Sequence, residues 1–273
     1  MFLSTFRSIL VIGGILTYLR GLTESRLRTA QEVRDIGLPI LGVVPRMPGS
    51  RTSVARAMCA HLDPRSDAAE AYRTVFTTLY RAAPGTRART LLVTSPEARD
   101  GKTTSASNLA IVIAQRGRRV LLCDTDFRHR IGSEKLRATG LSNVLSGTET
   151  LEHAVQGTGL KNLFILPRGA IPRNPPELLT SQKFAEVIDQ LASNHDYIIF
   201  DSPPVNAGTD SRILGTLCDA TVLVLRARKS TREDAERARN ALTSGARIVG
   251  AILNDAGEKP KGTRSIAQPF NPN

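Results

Sequence analysis

The sequence predicts an α/β fold, a mainly parallel sheet with helices on both faces, and three observations carry that expectation. Short runs rich in Val, Ile and Leu alternate with helical patterns between Thr90 and Asn254. These runs are apolar along their whole length, as strands covered on both faces are. The early ones end in Gly-Lys-Thr or in Asp, at the strand carboxyl ends where open α/β sheets hold their ligands.

The elements follow in chain order. Within residues 1–22, Arg7 and Arg20 bracket 12 mostly apolar residues. At about 1.5 Å per helical residue these cover roughly 18 Å of a hydrocarbon core about 30 Å thick. The stretch is expected to be a truncated or marginal membrane anchor, and Arg20, Arg26, Arg28 and Arg34 after it mark the cytoplasmic side. Residues 23–65 are expected as a juxtamembrane segment and linker. Within them, Thr29-Ala30-Gln31-Glu32 starts a capped helix ending at Gly37. Residues 38–45 form an apolar edge segment between prolines, and residues 46–64 lack any sustained period. The main domain is placed at residues 66–255. A helix there runs from Ser66 through Tyr72, Val75, Phe76 and Leu79 towards Pro84. Strands are expected at 90–95, 120–124, 164–167, 197–201, 221–227 and 248–254, and helices at 103–116, 176–192 and 231–243. Residues 256–273 are expected as a flexible tail without tyrosines.

Composition narrows the function. With 41% hydrophobic and 23% charged residues, global disorder is excluded. Aromatics are 4%, Trp is absent, and no basic stretch is interleaved with stacking residues, so no nucleic acid partner is expected despite the net charge of +12. Part of that charge sits beside the apolar start: residues 1–65 hold nine Arg against four acids. An anionic membrane surface attracts such a segment by about 1 kcal/mol per basic residue. Three scattered cysteines, Cys59, Cys123 and Cys218, exclude a disulfide framework and indicate a reducing compartment.

Three strand ends carry the chemistry. The strand at 90–95 runs into Pro96-Glu97-Ala98-Arg99-Asp100-Gly101-Lys102-Thr103-Thr104, and a helix begins at once. Backbone N–H groups at such a helix start cradle phosphates, a Lys reaches the β and γ positions, and a hydroxyl ligates Mg²⁺. Pro96 replaces the first Gly of the strict phosphate-loop pattern. Two further apolar strands deliver Asp124 with Asp126, and Asp201. Acids at buried strand tips need a compensating cation, which a magnesium nucleotide supplies.

The order Gly-Lys-Thr-Thr, then Asp124-x-Asp126-x-Arg128, then Asp201-Ser202-Pro203-Pro204 resembles the bacterial tyrosine autokinases (BY-kinases) of the capsular exopolysaccharide, or polysaccharide co-polymerase, family. Their Walker A, A′ and B motifs match residues 96–104, 121–126 and 198–201. Pro167-Arg168-Gly169, Asn174-Pro175-Pro176-Glu177, Asp210 and Gly250-Ala251-Ile252-Leu253-Asn254 match as well. The resemblance implies a P-loop NTPase of the deviant-Walker type that uses ATP and Mg²⁺ to phosphorylate protein tyrosine and regulates exopolysaccharide or capsule biosynthesis and export. It implies a nucleotide site of Ala98, Arg99, Asp100, Gly101, Lys102, Thr103, Thr104 and Asn254, the last at the adenine. Lys102, Asp124 and Asp126 would be catalytic, either acid being able to take the tyrosine proton. Thr103, Asp124 and Asp201 would serve the metal. Implied partners are ATP, a membrane polysaccharide co-polymerase or chain-length-determinant protein, and further copies in a homo-oligomer. The implied location is the cytoplasmic face of a bacterial cell membrane, with residues 1–22 as anchor.

The sequence departs from the family pattern at three places. The tyrosines are Tyr18, Tyr72, Tyr80 and Tyr197, so the family's C-terminal tyrosine cluster has no counterpart after Asn254. Phe76 stands at the third position of the oligomerisation motif that begins Glu70-Ala71-Tyr72-Arg73. Ala98-Arg99-Asp100 stands where many relatives have Pro-Gly-Glu. These departures motivate an alternative, a non-catalytic ATP-binding switch of a polysaccharide co-polymerase. A third reading, a partition-type ATPase, requires a Lys where Glu97 stands.

Overall fold

The computed structural model describes residues 26–48, 52–82, 88–128 and 139–257. Thr29 opens helix α1 (Ala30–Asp35) through a reciprocal capping box with Glu32, as its sequence predicts. Strand β1 (Ile40–Pro45), helices α2 (Ser53–Ala57), α3 (Cys59–Leu62) and α4 (Asp67–Ala82) follow. Next come β2 (Thr90–Thr94), α5 (Lys102–Gln115) and β3 (Val120–Asp124), then α6 (Leu141–Leu145), α7 (Leu151–Ala154), β4 (Gln156–Gly157) and β5 (Leu163–Leu166). The chain continues through α8 (Pro175–Leu179), α9 (Gln182–Asn194), β6 (Tyr197–Asp201), α10 (Asp210–Leu217), β7 (Ala220–Arg226), α11 (Arg232–Thr243) and β8 (Ile248–Ala256).

The eight strands form one sheet in the order β1-β8-β7-β2-β6-β3-β5-β4, parallel throughout except for the β4–β5 pair. Successive strand residues face opposite sides, so each strand feeds two cores. On β2, Leu91 and Val93 join Tyr72, Val75, Leu109 and Ile113 of α4 and α5 on one side. Leu92 joins Phe184, Leu191 and Leu214 of α9 and α10 on the other. On β7 and β8, Leu223, Leu225 and Leu253 meet Val33 of α1 and Ala235 and Leu242 of α11. The two-sided apolar strands read from the sequence are thus a sheet with helices on both faces.

Several expectations are corrected. The stretch 46–64, expected as a linker, holds α2 and α3, and Cys59 and Ala60 are fully buried. Helices of five and four residues do not persist alone. Here the buried Asn108 of α5 accepts from the Ala60 N–H at 2.8 Å and donates to the Arg56 carbonyl at 2.8 Å. The folded unit therefore draws on residues N-terminal to Ser66. The single helix expected at 176–192 is two, α8 and α9, because Ser181 turns its hydroxyl onto the Phe184 N–H at 3.2 Å and caps a new start. Ala256, placed in the tail, ends β8. The expected anchor at 1–22 and the tail beyond Gly257 lie outside the described residues. Among the described residues no helix is long and apolar enough to cross a membrane.

Candidate active site

The order β2-β6-β3 puts the strand carrying Asp201 between those carrying the Gly-Lys-Thr loop and Asp124. Chain order and spatial order diverge at this point, which opens a crevice at the carboxyl ends. Register completes the placement: Asp201 is opposite Val93 on β2 and opposite Asp124 on β3.

The loop between β2 and α5 is held from inside and outside. Ser95 Oγ donates to the Glu97 carbonyl at 2.7 Å, and the Glu97 N–H donates to Asp100 Oδ2 at 3.1 Å. The Pro203-Pro204 turn after β6 supports the loop's first half. The Val205 N–H donates to Ser95 O at 2.8 Å, and Asn206 donates to Pro96 O and to Glu97 Oε1. Gly101 stands at the helix start with φ +99°, and a Cβ there would lie 2.0 Å from Asn254 Nδ2. Glycine is required at this position both by conformation and by space.

The expected acids and lysine converge. Lys102, in the first turn of α5, places Nζ 3.0 Å from Asp126 Oδ2, with both side chains nearly buried. Asp124 Oδ1 accepts from the Asp126 N–H at 3.0 Å. Burial pushes the Asp124 carboxyl above its usual range, and Arg168 opposes that rise. Burial likewise pushes Asp201 up to about 7 against the pull of Lys102. Asp201 Oδ1 is buried and finds no hydrogen-bond partner among the described residues. Among these residues no cluster of three or more His, Cys, Asp or Glu could cage a metal by itself. An orphaned buried carboxylate oxygen beside Thr103 and Asp124 fits Mg²⁺, which takes one or two protein ligands and completes its shell with phosphate and water.

The remaining residues expected at a nucleotide divide. Thr103 is exposed and Thr104 half-buried at the helix start, where their N–H groups have no intrahelical acceptor. Asn254 donates to the Asp100 carbonyl at 3.0 Å, so its amide braces the loop in this structure. Ala98 and Arg99 turn their carbonyls towards the loop after β7. Phe76 packs at the far end of the sheet, against Tyr197 at a ring separation of 6.1 Å, as a core residue.

Two groups escaped the sequence reading as site residues. Arg168, just past β5, lies with Nε 3.2 Å from Asp124 Oδ2 and donates to the Asp126 carbonyl at 2.7 Å. Its position beyond a strand tip was the available signal. Arg128 clasps the fully buried Asp210 with two hydrogen bonds of 2.7 and 2.8 Å.

The chain is similar to known proteins over most of its length. An AAA domain family model matches residues 98–232, from the loop to the start of α11. The tyrosine-protein kinase YwqD of Bacillus subtilis (strain 168) is 38% identical over 210 residues, 76% of this chain and 88% of the relative. The tyrosine-protein kinase Wzc of Salmonella typhi is 31% identical over 261 residues, 90% of this chain but 36% of the longer relative. Among solved structures, the kinase domain of the Escherichia coli tyrosine kinase ETK superposes with a TM-score of 0.76 at 27% identity, covering 89% of this chain and all of that one. With its phosphate loop, paired strand-tip acids and this degree of likeness, the chain belongs to the bacterial tyrosine-protein kinases, built on the P-loop NTPase fold.

Proposed function

We propose that the protein transfers the γ-phosphate of ATP to the hydroxyl of a protein tyrosine and thereby regulates exopolysaccharide or capsule production. The observation that carries this reading is the convergence of Lys102, Asp124, Asp126 and Asp201 around the start of α5. In that arrangement the tyrosine oxygen attacks the γ-phosphorus, the bond to the β-phosphate oxygen breaks, and ADP leaves. Phosphoryl transfer asks mainly for positioning and charge neutralisation. The helix-start N–H groups and Lys102 bind the phosphates. Asp126 holds the Lys102 ammonium. Asp124, whose side chain is 30% exposed, is the acid open to an incoming hydroxyl and takes its proton. Thr103, Asp124 and Asp201 would hold Mg²⁺, which supplies neutralisation of the triphosphate charge. Asn254 would border the adenine.

The partner expected for this site is a membrane polysaccharide co-polymerase or chain-length-determinant protein, with the kinase at the cytoplasmic face of the membrane. Incubation of the full chain with labelled ATP, Mg²⁺ and such a partner should label tyrosine, and Lys102→Met should abolish the label. ATP binding without transfer to any tyrosine would leave the non-catalytic switch as the better reading.

A further inference from the structure

Three consecutive carbonyls of the loop are each taken by a different side chain from the β7–β8 side. Lys229 Nζ binds the carbonyl of Ala98. Arg226 Nη1 donates to that of Arg99 at 3.1 Å, and Asn254 Nδ2 to that of Asp100 at 3.0 Å. Among the described residues no peptide bond is cis, and in a trans peptide the carbonyl and the following N–H point in opposite directions. Fixing these carbonyls on one side therefore turns the N–H groups of Arg99, Asp100 and Gly101 to the other. Those of Lys102, Thr103 and Thr104 continue the row as the first turn of α5. None of these six donates to a protein acceptor among the described residues. Arg99 and Gly101 have φ of +64° and +99°. Left-handed residues interspersed in this way build an anion-binding concavity of backbone N–H groups. At Arg99, a residue with a Cβ, that conformation persists only when its surroundings impose it.

Lys229 is also the one of the three that pairs with a fully buried carboxylate. Its ammonium lies 2.7 Å from Asp100 Oδ1, and the Asp100 side chain is completely buried. The other Asp100 oxygen holds the Glu97 N–H. The segment bearing Lys229 is itself anchored. The Arg226 N–H donates to Ser230 Oγ at 2.8 Å, and Arg228 and Ser230 exchange backbone hydrogen bonds with Leu27.

We propose that Lys229 is a positioning residue for the triphosphate: with Arg226 and Asn254 it sets the direction of the loop's carbonyls, and so of the N–H row that receives the phosphates. The inference rests on the phosphate-loop reading above and adds a residue that lies outside the loop by more than a hundred positions. Its effect falls on nucleotide binding in the ground state more than on the transfer step.

The test measures affinity of the full chain for a fluorescent ADP analogue with Mg²⁺, and steady-state transfer to a Glu-Tyr copolymer, for wild type, Lys229→Gln and Lys229→Arg. Lys229→Gln should weaken ADP binding and raise the KM for ATP by about tenfold, with kcat within about threefold. Lys229→Arg, which keeps the charge and the reach, should recover most of the affinity. Wild-type affinity in Lys229→Gln, with or without a lower melting temperature, would show a mere strut and overturn the proposal alone. An equal loss in Lys229→Arg would overturn it too. If Lys229→Gln fails to fold, Arg226→Gln releases the Arg99 carbonyl together with the Asp255 carboxylate and leaves the Lys229–Asp100 pair in place. It should weaken ADP binding about threefold, and unchanged affinity again overturns the proposal. A wild-type chain that binds no adenine nucleotide would overturn the phosphate-loop reading and the proposal together.

Discussion

Arg168 ties together both acids at the end of β3: its Nε lies 3.2 Å from Asp124 Oδ2, and its Nη1 donates to the backbone carbonyl of Asp126 at 2.7 Å. A planar guanidinium can serve two acceptors at once in a way that an ammonium cannot.

Arg168→Gln should therefore lower tyrosine transfer by roughly 10- to 100-fold while ADP affinity changes little. Arg168→Lys should not restore it, since a single ammonium cannot span both acceptors. Steady-state kinetics with a peptide substrate, paired with equilibrium ADP binding, checks both statements.

Asp210 is fully buried, and among the described residues its carboxylate is matched by Arg128 alone of the charged side chains. Asp210→Asn should destabilise the fold by about 2 kcal/mol, less than a wholly buried pair loses because Arg128 keeps contact with water. Gly208 is packed against the Arg128 guanidinium, which a Cβ would approach to 2.8 Å. Urea unfolding of Asp210→Asn measures the loss.

Gly101→Ala combines a left-handed backbone with a Cβ driven into Asn254. Stability should fall by about 1–2 kcal/mol, and ADP affinity should fall with it, because the helix start must shift. Gly117→Ala, at φ +80° but with open space around its Cβ, is the control: it should lose stability without losing affinity. Thermal melts and nucleotide titrations of the two variants separate the effects.

His195 is buried at the sheet's opposite end, with Nδ1 donating to the Leu191 carbonyl at 3.0 Å and Nε2 finding no hydrogen-bond partner among the described residues. Burial holds its pKa below the ordinary imidazole value. Nearby Arg119 acts in the same direction, and Asp196 and the Leu191 carbonyl act against it. The unfolded chain then binds more protons than the folded one. Stability is full above about pH 6.5 and falls as pH drops through and below that value. His195→Gln should flatten this slope, read from urea midpoints on either side of about pH 6.5.

Much of this was legible in the chain itself. The phosphate loop and the two acid-bearing strand tips were legible because they are local: an apolar run of strand length, a turn, and the residues at its end. The bounds of β3 and β6 follow the expected ones for the same reason. The helices at 53–62 were not legible, since they exist through Asn108, about fifty residues away. The α8–α9 break was misjudged because the apolar period continues across it, and only the Ser181 hydroxyl decides the restart.

The sequence by itself determined an α/β fold of the P-loop type and the placing of Lys102, Asp124, Asp126 and Asp201 at a helix start and at strand ends, because strand tips and loop are each specified within a few residues. Tertiary structure alone decided that Arg168 belongs to the acids and that Lys229 belongs to the loop through Asp100, 129 positions before it. Such pairings form where parallel strands distant in sequence end side by side, and a charge buried at one strand end then takes whatever counter-charge the neighbouring strand's loop supplies.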